Sequence, residues 1–290
     1  MKYFSFIIVW LSLPFFIHAQ ETSLIVSPQW VSDNLKDPRL VVLQVNFLRL
    51  DYENEHIKGA RFLWPSWLSA DSPEGNFNPP DGKQATKVLQ KLGINKDSKI
   101  ILCHTKGDVS IAARMFVTLE YLGLKDKVYF LNGGLEGWKK AGFPVTKEIP
   151  LVKQGNYKAI INPVLVDKDY VLQSLKSPSS AVVDARLKRF YDGDPTGNPR
   201  DGHITGAKNI PYTELIDSTN SIKSKEQLLS YFKPVSDKNK ELVAYCFVGQ
   251  TASVVYMTGR FLGYNMKVYD GSMQEWSRLP DLPMEKTKKE

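Results

Sequence analysis

Residues 242–263 read LVAYCFVGQTASVVYMTGRFLG: a short apolar run, a cysteine, a loop containing Gly249, then a longer apolar segment of helical character. Cys246 stands where the run meets the loop, a junction at which main-chain N–H groups can converge on an anion or a nucleophilic sulfur. A lone cysteine is more often a small buried hydrophobe. The remainder of the chain must therefore supply the reason to read it as a nucleophile.

That reason begins with a repeat. KIILCHTKGDVSIAARMFVTLEYLG at 99–123 has the same strand, loop and helix order as ELVAYCFVGQTASVVYMTGRFLG at 241–263. EHIKGARFL at 55–63 is echoed by GHITGAKNI at 202–210, and NGGLEGW at 132–138 by DGSMQEW at 270–276, with Gly and Trp in register. Val26 precedes Gln44 by the same interval that separates Val166 from Asp184. Matches in one order mean two copies of one α/β unit, expected at 24–145 and 161–282, joined by a polar linker at 146–160 and followed by a polar tail at 283–290.

Strands are expected at Leu40–Val45, Lys99–Cys103 and Val128–Leu131 of the first copy. Helices are expected from a Ser27 cap with Pro28 behind it, near Gln84–Leu92, and over Ser110–Leu122. Apolar strands alternating with helices imply largely parallel sheets covered on both faces, with ligands bound beyond the carboxyl ends of the strands. Aligned back from Gly123 and Gly263, His104 is the counterpart of Cys246, and Cys103 matches Tyr245, one position inside the strand. A Cys103–Cys246 bridge would require two separate strand ends to meet, so both thiols are expected to be free.

The chain has 290 residues, 42% of them hydrophobic and 24% charged, the composition of a globular protein. MKYFSFIIVWLSLPFFIHA, residues 1–19, places one lysine before an apolar run ending at a small residue, the layout of a secretory signal cleaved after Ala19. Export to the periplasm or medium follows, and no later run is long enough to span a membrane. The formal net charge of +7 falls to +6 when the signal, with its single Lys2, is removed. That charge is mild and dispersed, which speaks against nucleic acid and suits a small anionic substrate.

Taken together, the doubled α/β unit, the HI-x-GA-x motif in each half, the D-G-S-x-x-x-W ending and the Cys-x-x-Gly-x-Thr loop (Cys246, Gly249, Thr251) resemble the two-domain rhodanese sulfurtransferases. That group includes the thiosulfate and 3-mercaptopyruvate sulfurtransferases, and the resemblance spans essentially the chain beyond the signal. It implies two tandem rhodanese-like domains, each a mainly parallel sheet flanked by helices, the first non-catalytic and the second carrying the nucleophile on its active loop. It implies that Cys246 accepts a sulfane sulfur as a persulfide and passes it to cyanide or a thiol, without metal or organic cofactor, in a protein expected to be monomeric.

The chemistry of the residues agrees. Sulfur transfer needs a thiolate, which loop N–H groups at a helix N-terminus favour. Gly249 lets the loop, Phe247, Val248, Gly249, Gln250 and Thr251, curl around the sulfur. Thr251 can donate its hydroxyl or cap the helix. The resemblance further implies substrate contacts from Arg189, just after the D-x-R strand end, and from Arg200 in its Pro-Arg-Asp-Gly context, while Arg186 pairs with Asp184. It implies possible proton handling by His56, although a histidine in an HI-x-GA turn also serves as a structural hydrogen-bonding group.

Phe247 and Val248 replace both the basic residues that follow the cysteine in thiosulfate enzymes and the Gly-Ser of mercaptopyruvate enzymes. Thiosulfate is the expected donor, with 3-mercaptopyruvate as the alternative and a sulfur carrier or binding module without turnover as a further one. A phosphatase would need Cys-x5-Arg, and Ala252 occupies the arginine position. A zinc site is disfavoured because Cys103 and His104 are adjacent, with no second pair at ligand spacing.

Overall fold

The computed structural model describes residues 23–70, 78–106 and 109–287. The proposed signal, residues 1–19, lies outside them. The first unit contains β1 (Ile25–Val26), α1 (Pro28–Asn34), β2 (Leu40–Val45), α2 (Arg49–Asn54), β3 (Arg61–Leu63), α3 (Gly82–Lys91), β4 (Lys99–His104), α4 (Val109–Leu119), β5 (Val128–Leu131) and α5 (Gly134–Lys140). The second contains β6 (Leu165–Val166), α6 (Lys168–Lys176), β7 (Ser180–Asp184), α7 (Lys188–Asp192), β8 (His203–Ile204), β9 (Lys208–Asn209), α8 (Lys225–Phe232), β10 (Glu241–Tyr245), α9 (Ala252–Leu262), β11 (Asn265–Tyr269), α10 (Ser272–Trp276) and β12 (Met284–Glu285).

Two parallel five-stranded sheets result, ordered β1-β5-β4-β2-β3 and β6-β11-β10-β7-β9. The central strand of the first ends in His104 and that of the second runs directly into Cys246. Gln44 is level with Cys103 as Asp184 is with Tyr245, so the alignment of the copies holds in three dimensions. Strands β4 and β10 are buried on both faces, which is why they read as unbroken apolar runs rather than alternating ones.

The expected elements form with small shifts at their ends. Ser27 accepts from the Trp30 N–H ahead of Pro28, as its place before α1 requires. Asp81, accepting from Lys83 and Gln84, starts α3 at Gly82, two residues earlier than expected. Helix α4 stops at Leu119 and unwinds through a wider turn to Leu124, where Gly123 takes φ +90°.

The shared motifs prove to be matching braces. In each HI-x-GA turn the histidine ring stacks on a tyrosine, at 4.2 Å for Tyr52–His56 and 3.6 Å for Tyr191–His203, and its Nδ1 meets that tyrosine's carbonyl at 2.7 Å. The tyrosine hydroxyls donate to Ala60 and Ala207. Trp138 and Trp276 donate to the carbonyls of Pro144 and Pro283, closing each unit in the same way.

The stretch between the units is not a free polar linker. Thr146 pairs with His56 through both main-chain groups, and Tyr157 is buried, donating its N–H to Ile94 and its hydroxyl to Leu122. Gly155 passes so close to Ile94 that a Cβ would overlap its main chain. The segment is therefore a strap bound along the first unit.

Helices α4 and α9 pack against each other, and one apolar cluster containing Phe116, Val117, Val255 and Met257 runs through both units. At the far end of this contact the buried Glu120 carboxylate accepts from the Tyr256 hydroxyl at 2.5 Å and from Arg260 Nη2 at 3.1 Å. Glu120 and Arg260 are equivalent positions of the two copies, as are Ser110 and Gln250, which meet at the opposite end. The repeat therefore docks on itself about an approximate two-fold axis. Burial, together with the nearby Glu120 carboxylate, pushes the Tyr256 hydroxyl well above the ordinary phenol range. The Glu120 carboxylate holds the Arg260 guanidinium above its ordinary value, against the opposing effect of burial.

Candidate active site

Cys246 lies at the carboxyl end of the central strand and is 1% exposed. Its N–H donates to Ser272 Oγ at 3.1 Å, and its carbonyl accepts from Met273. The Phe247 carbonyl accepts from Gln274, and the Ser272 hydroxyl in turn donates to the Tyr269 carbonyl. The segment Asp270–Gln274 thus grips both residues at the start of the loop. This is the physical content of the D-G-S motif. Ser272 adopts φ +50°, a left-handed conformation uncommon outside glycine, so the tight turn is imposed by its surroundings.

Gly249 is buried at φ +76°, the curl its sequence position implied. Among the described residues, none of the N–H groups of Phe247, Val248, Gly249, Gln250 and Thr251 donates to a protein acceptor, whereas Ser253 and Val254 bond back to Gln250 and Thr251. Successive unclaimed N–H groups beside a sulfur at a helix start make a receptor for negative charge. Thr251 occupies the cap position of α9 with helical φ/ψ and makes no side-chain capping bond. Ser253 donates to the Gly249 carbonyl instead, and Gln250 donates to Ser110 of the first unit at 2.8 Å.

Phe247 is half-buried and meets Phe190 edge to face at 5.3 Å, with the Arg186 guanidinium 5.1 Å from its ring centre. Arg186 is held by two oxygens of the fully buried Asp184 and donates to the Gly202 carbonyl, the structural pairing expected of the D-x-R strand end. Burial opposes its charge, but Asp184 outweighs burial and holds the guanidinium above its ordinary range. Arg189 is exposed on α7 and lies over the Phe190 ring at 4.5 Å, a short chain of contacts from the Cys246 loop.

Two other expected site residues sit elsewhere. All five N–H donors of Arg200 go to main-chain carbonyls, those of Trp276, Ser277, Leu279, Pro280 and Leu282, so its side chain ties down the C-terminal segment and has none left for a carboxylate. His56 is fully buried with Nδ1 on the Tyr52 carbonyl and Nε2 3.0 Å from the Glu148 carbonyl, so neither nitrogen faces a substrate. Both corrections share one cause: a motif records residue types, and the partners of those residues come from segments distant in sequence.

Cys103 and Cys246 are both free. Burial, with a lesser push from Glu136, drives the Cys103 thiol far up, which suits a packed strand residue. His104, at the position of Cys246, is buried and stacks on Phe130 at 5.4 Å. A Cβ on Gly134 would overlap its carbonyl, so the start of α5 packs directly against this position. Among the described residues no group of His, Cys, Asp and Glu is arranged to hold a metal ion, and no helix is long and apolar enough to cross a membrane.

Motif inspection missed the contribution of the first unit. Arg114 of α4, fully buried, places Nη1 2.6 Å from Asp270 Oδ1, immediately beside Gly249. An arginine within an otherwise apolar helix, SIAARMFV, was the signal that could have flagged it.

Two docked parallel α/β units, the second with a cysteine on a gripped loop beyond its central strand, define the rhodanese class of fold. The family model for the rhodanese-like domain matches residues 27–141 and 167–279, and the chain belongs to that family. It is 32% identical over 285 residues to the sulfur carrier protein TtuD of Thermus thermophilus, covering 91% of this chain and 96% of that one. It is 26% identical to the thiosulfate sulfurtransferase of Azotobacter vinelandii, over 90% and 97% of the two chains. The crystal structure of SseA from Escherichia coli, a 3-mercaptopyruvate sulfurtransferase, matches with a TM-score of 0.75 at 27% identity, over 87% of this chain and 99% of that one.

Proposed function

We propose that the protein moves a sulfane sulfur from a small anionic donor to a thiophilic acceptor through a persulfide on Cys246. The observation that carries this reading is the run of unclaimed N–H groups from Phe247 to Thr251 beside a cysteine that the fold holds at a central strand end. With thiosulfate, the Cys246 thiolate attacks the outer sulfur, the S–S bond of the donor breaks, and sulfite leaves with the electron pair. The Cys246 persulfide is again an anion, so the same N–H groups serve both states. Cyanide or a thiolate then attacks the terminal sulfur and releases the Cys246 thiolate, so no net oxidant or reductant is consumed.

Arg189 is the cation assigned to the donor, being exposed beside the Phe190–Phe247 pair. Thiosulfate is the donor proposed first. 3-Mercaptopyruvate, which would leave as pyruvate, has no loop serine and no free Arg200 to receive it. A carrier role without turnover is favoured by one observation: the aromatic surface of Phe247 and Phe190 replaces charge at the loop, which suits a sulfur presented by a larger, less charged partner. Action after export is part of the proposal and rests on residues 1–19 alone.

The test is intact-mass spectrometry of the protein lacking residues 1–19 after exposure to thiosulfate or 3-mercaptopyruvate. One added sulfur, about 32 Da, is expected with thiosulfate and is expected to vanish in Cys246→Ser. No adduct from either donor would overturn the enzymatic reading. An adduct without turnover to cyanide or a thiol would select the carrier.

A further inference from the structure

The first unit lacks a cysteine at the active position, yet its helix α4 is built into the active loop of the second. Arg114 is 0% exposed, and its Nη1 lies 2.6 Å from Asp270 Oδ1. This ion pair forms the wall against Gly249: a Cβ there would lie 3.0 Å from Arg114 Nη1 and 3.1 Å from Asp270 Oδ1. Asp270 begins the segment whose Ser272 and Met273 bond the N–H and carbonyl of Cys246. One turn earlier on α4, Ser110 accepts from Gln250 of the same loop at 2.8 Å. The loop is therefore held from two points on the partner unit, one charged and one neutral.

We infer that Arg114 and Ser110 are positioning residues, through which the non-catalytic unit sets the shape and the electrostatic field of the Cys246 loop. Two consequences follow from the geometry. Arg114 balances a carboxylate that would otherwise stand uncompensated beside the loop and oppose negative charge on the sulfur. Ser110 fixes the side chain of Gln250, and with it the main chain between Gly249 and Thr251 whose N–H groups face no protein acceptor. The second unit alone would carry the nucleophile with neither constraint. The inference rests on Cys246 being the reactive group, but not on the identity of the donor.

The experiment measures the rate of Cys246 alkylation by iodoacetamide across pH, on the full chain without residues 1–19, for wild type, Arg114→Gln, Arg114→Lys, Ser110→Ala, Gln250→Ala and the double variant of the last two. Alkylation reads thiolate reactivity directly, so it separates this inference from the sulfur-transfer reading, which the mass adduct tests. Arg114→Gln is expected to lower the alkylation profile about tenfold in rate, as loss of a compensating charge beside the loop does. Arg114→Lys is expected to restore most of the profile, a rescue that a merely space-filling role would not produce.

Ser110→Ala and Gln250→Ala are each expected to slow alkylation about three- to tenfold at fixed pH, and the double variant no more than either alone, because they break one contact. If Arg114→Gln fails to fold, the neutral pair decides by the same rates. Profiles and rates matching wild type in folded variants would overturn the inference, as would additive effects of Ser110→Ala and Gln250→Ala.

Discussion

Gly249→Ala separates the cost of a backbone conformation from the cost of moving the Cys246 loop. At φ +76° an alanine loses about 1–2 kcal/mol to the collision of Cβ with its own carbonyl. Here the Cβ also meets Arg114 Nη1 at 3.0 Å, Asp270 Oδ1 at 3.1 Å and the Asp270 carbonyl oxygen at 3.2 Å. None of these atoms yields easily. The guanidinium is buried and ion-paired, and the carbonyl belongs to the segment that grips Cys246. Overpacking of this kind adds about 1–3 kcal/mol or shifts the loop, and an ångström of misplacement at a nucleophile costs about a hundredfold in rate.

Gly59 at φ +79° and Gly206 at φ +80° provide the controls, because a Cβ on either meets nothing within 4 Å. Urea unfolding of Gly59→Ala and Gly206→Ala should show the backbone cost alone, with sulfur loading of Cys246 unchanged in a timed intact-mass assay. Gly249→Ala should lose more stability and load sulfur about a hundredfold more slowly. A Gly249→Ala protein that loads within about threefold of Gly59→Ala would show instead that the barrier is insensitive to the loop's position.

Three further outcomes follow from the contacts described. Arg260→Met strands the buried Glu120 carboxylate and should cost about 3 kcal/mol in urea unfolding, whereas adding Glu120→Gln should recover part of that loss. Arg200→Ala should lower stability by about 2 kcal/mol while leaving the KM for either donor unchanged, because its donors bind carbonyls rather than substrate; a selective rise in KM would restore it to the site. Burial, aided by Glu241, pushes the Tyr170 hydroxyl up to about 12 from 10.0. Between those values the unfolded chain gives up a proton that the folded one keeps, so stability falls as pH rises, and Tyr170→Phe should flatten that fall in alkaline urea titrations.

Much of the architecture was legible in the chain because burial dictates residue type. The central strands, buried on both faces, had to be unbroken apolar runs, and the doubling of the unit was visible as repeated motifs in one order. Cys246 stood out because its counterpart is His104 on an otherwise shared scaffold. The Ser27 cap, the free thiols and the Arg186–Asp184 pair were likewise local matters of spacing. Contacts between distant segments were not legible. Arg200 has the sequence context of a substrate arginine, yet its five donors meet carbonyls roughly eighty residues away, a distance that no periodicity encodes. His56 similarly finds its Nε2 partner at Glu148, on a strap that reads as an ordinary polar linker.

Residue order alone settled the strands and helices, the repeat and the position of Cys246 at a strand end, since each depends on near neighbours and on the periodicity of burial. What surrounds Cys246 came only with tertiary packing. The wall of its loop is an ion pair between Arg114 and Asp270, whose ends belong to different units, and such a contact exists only after α4 and α9 have docked.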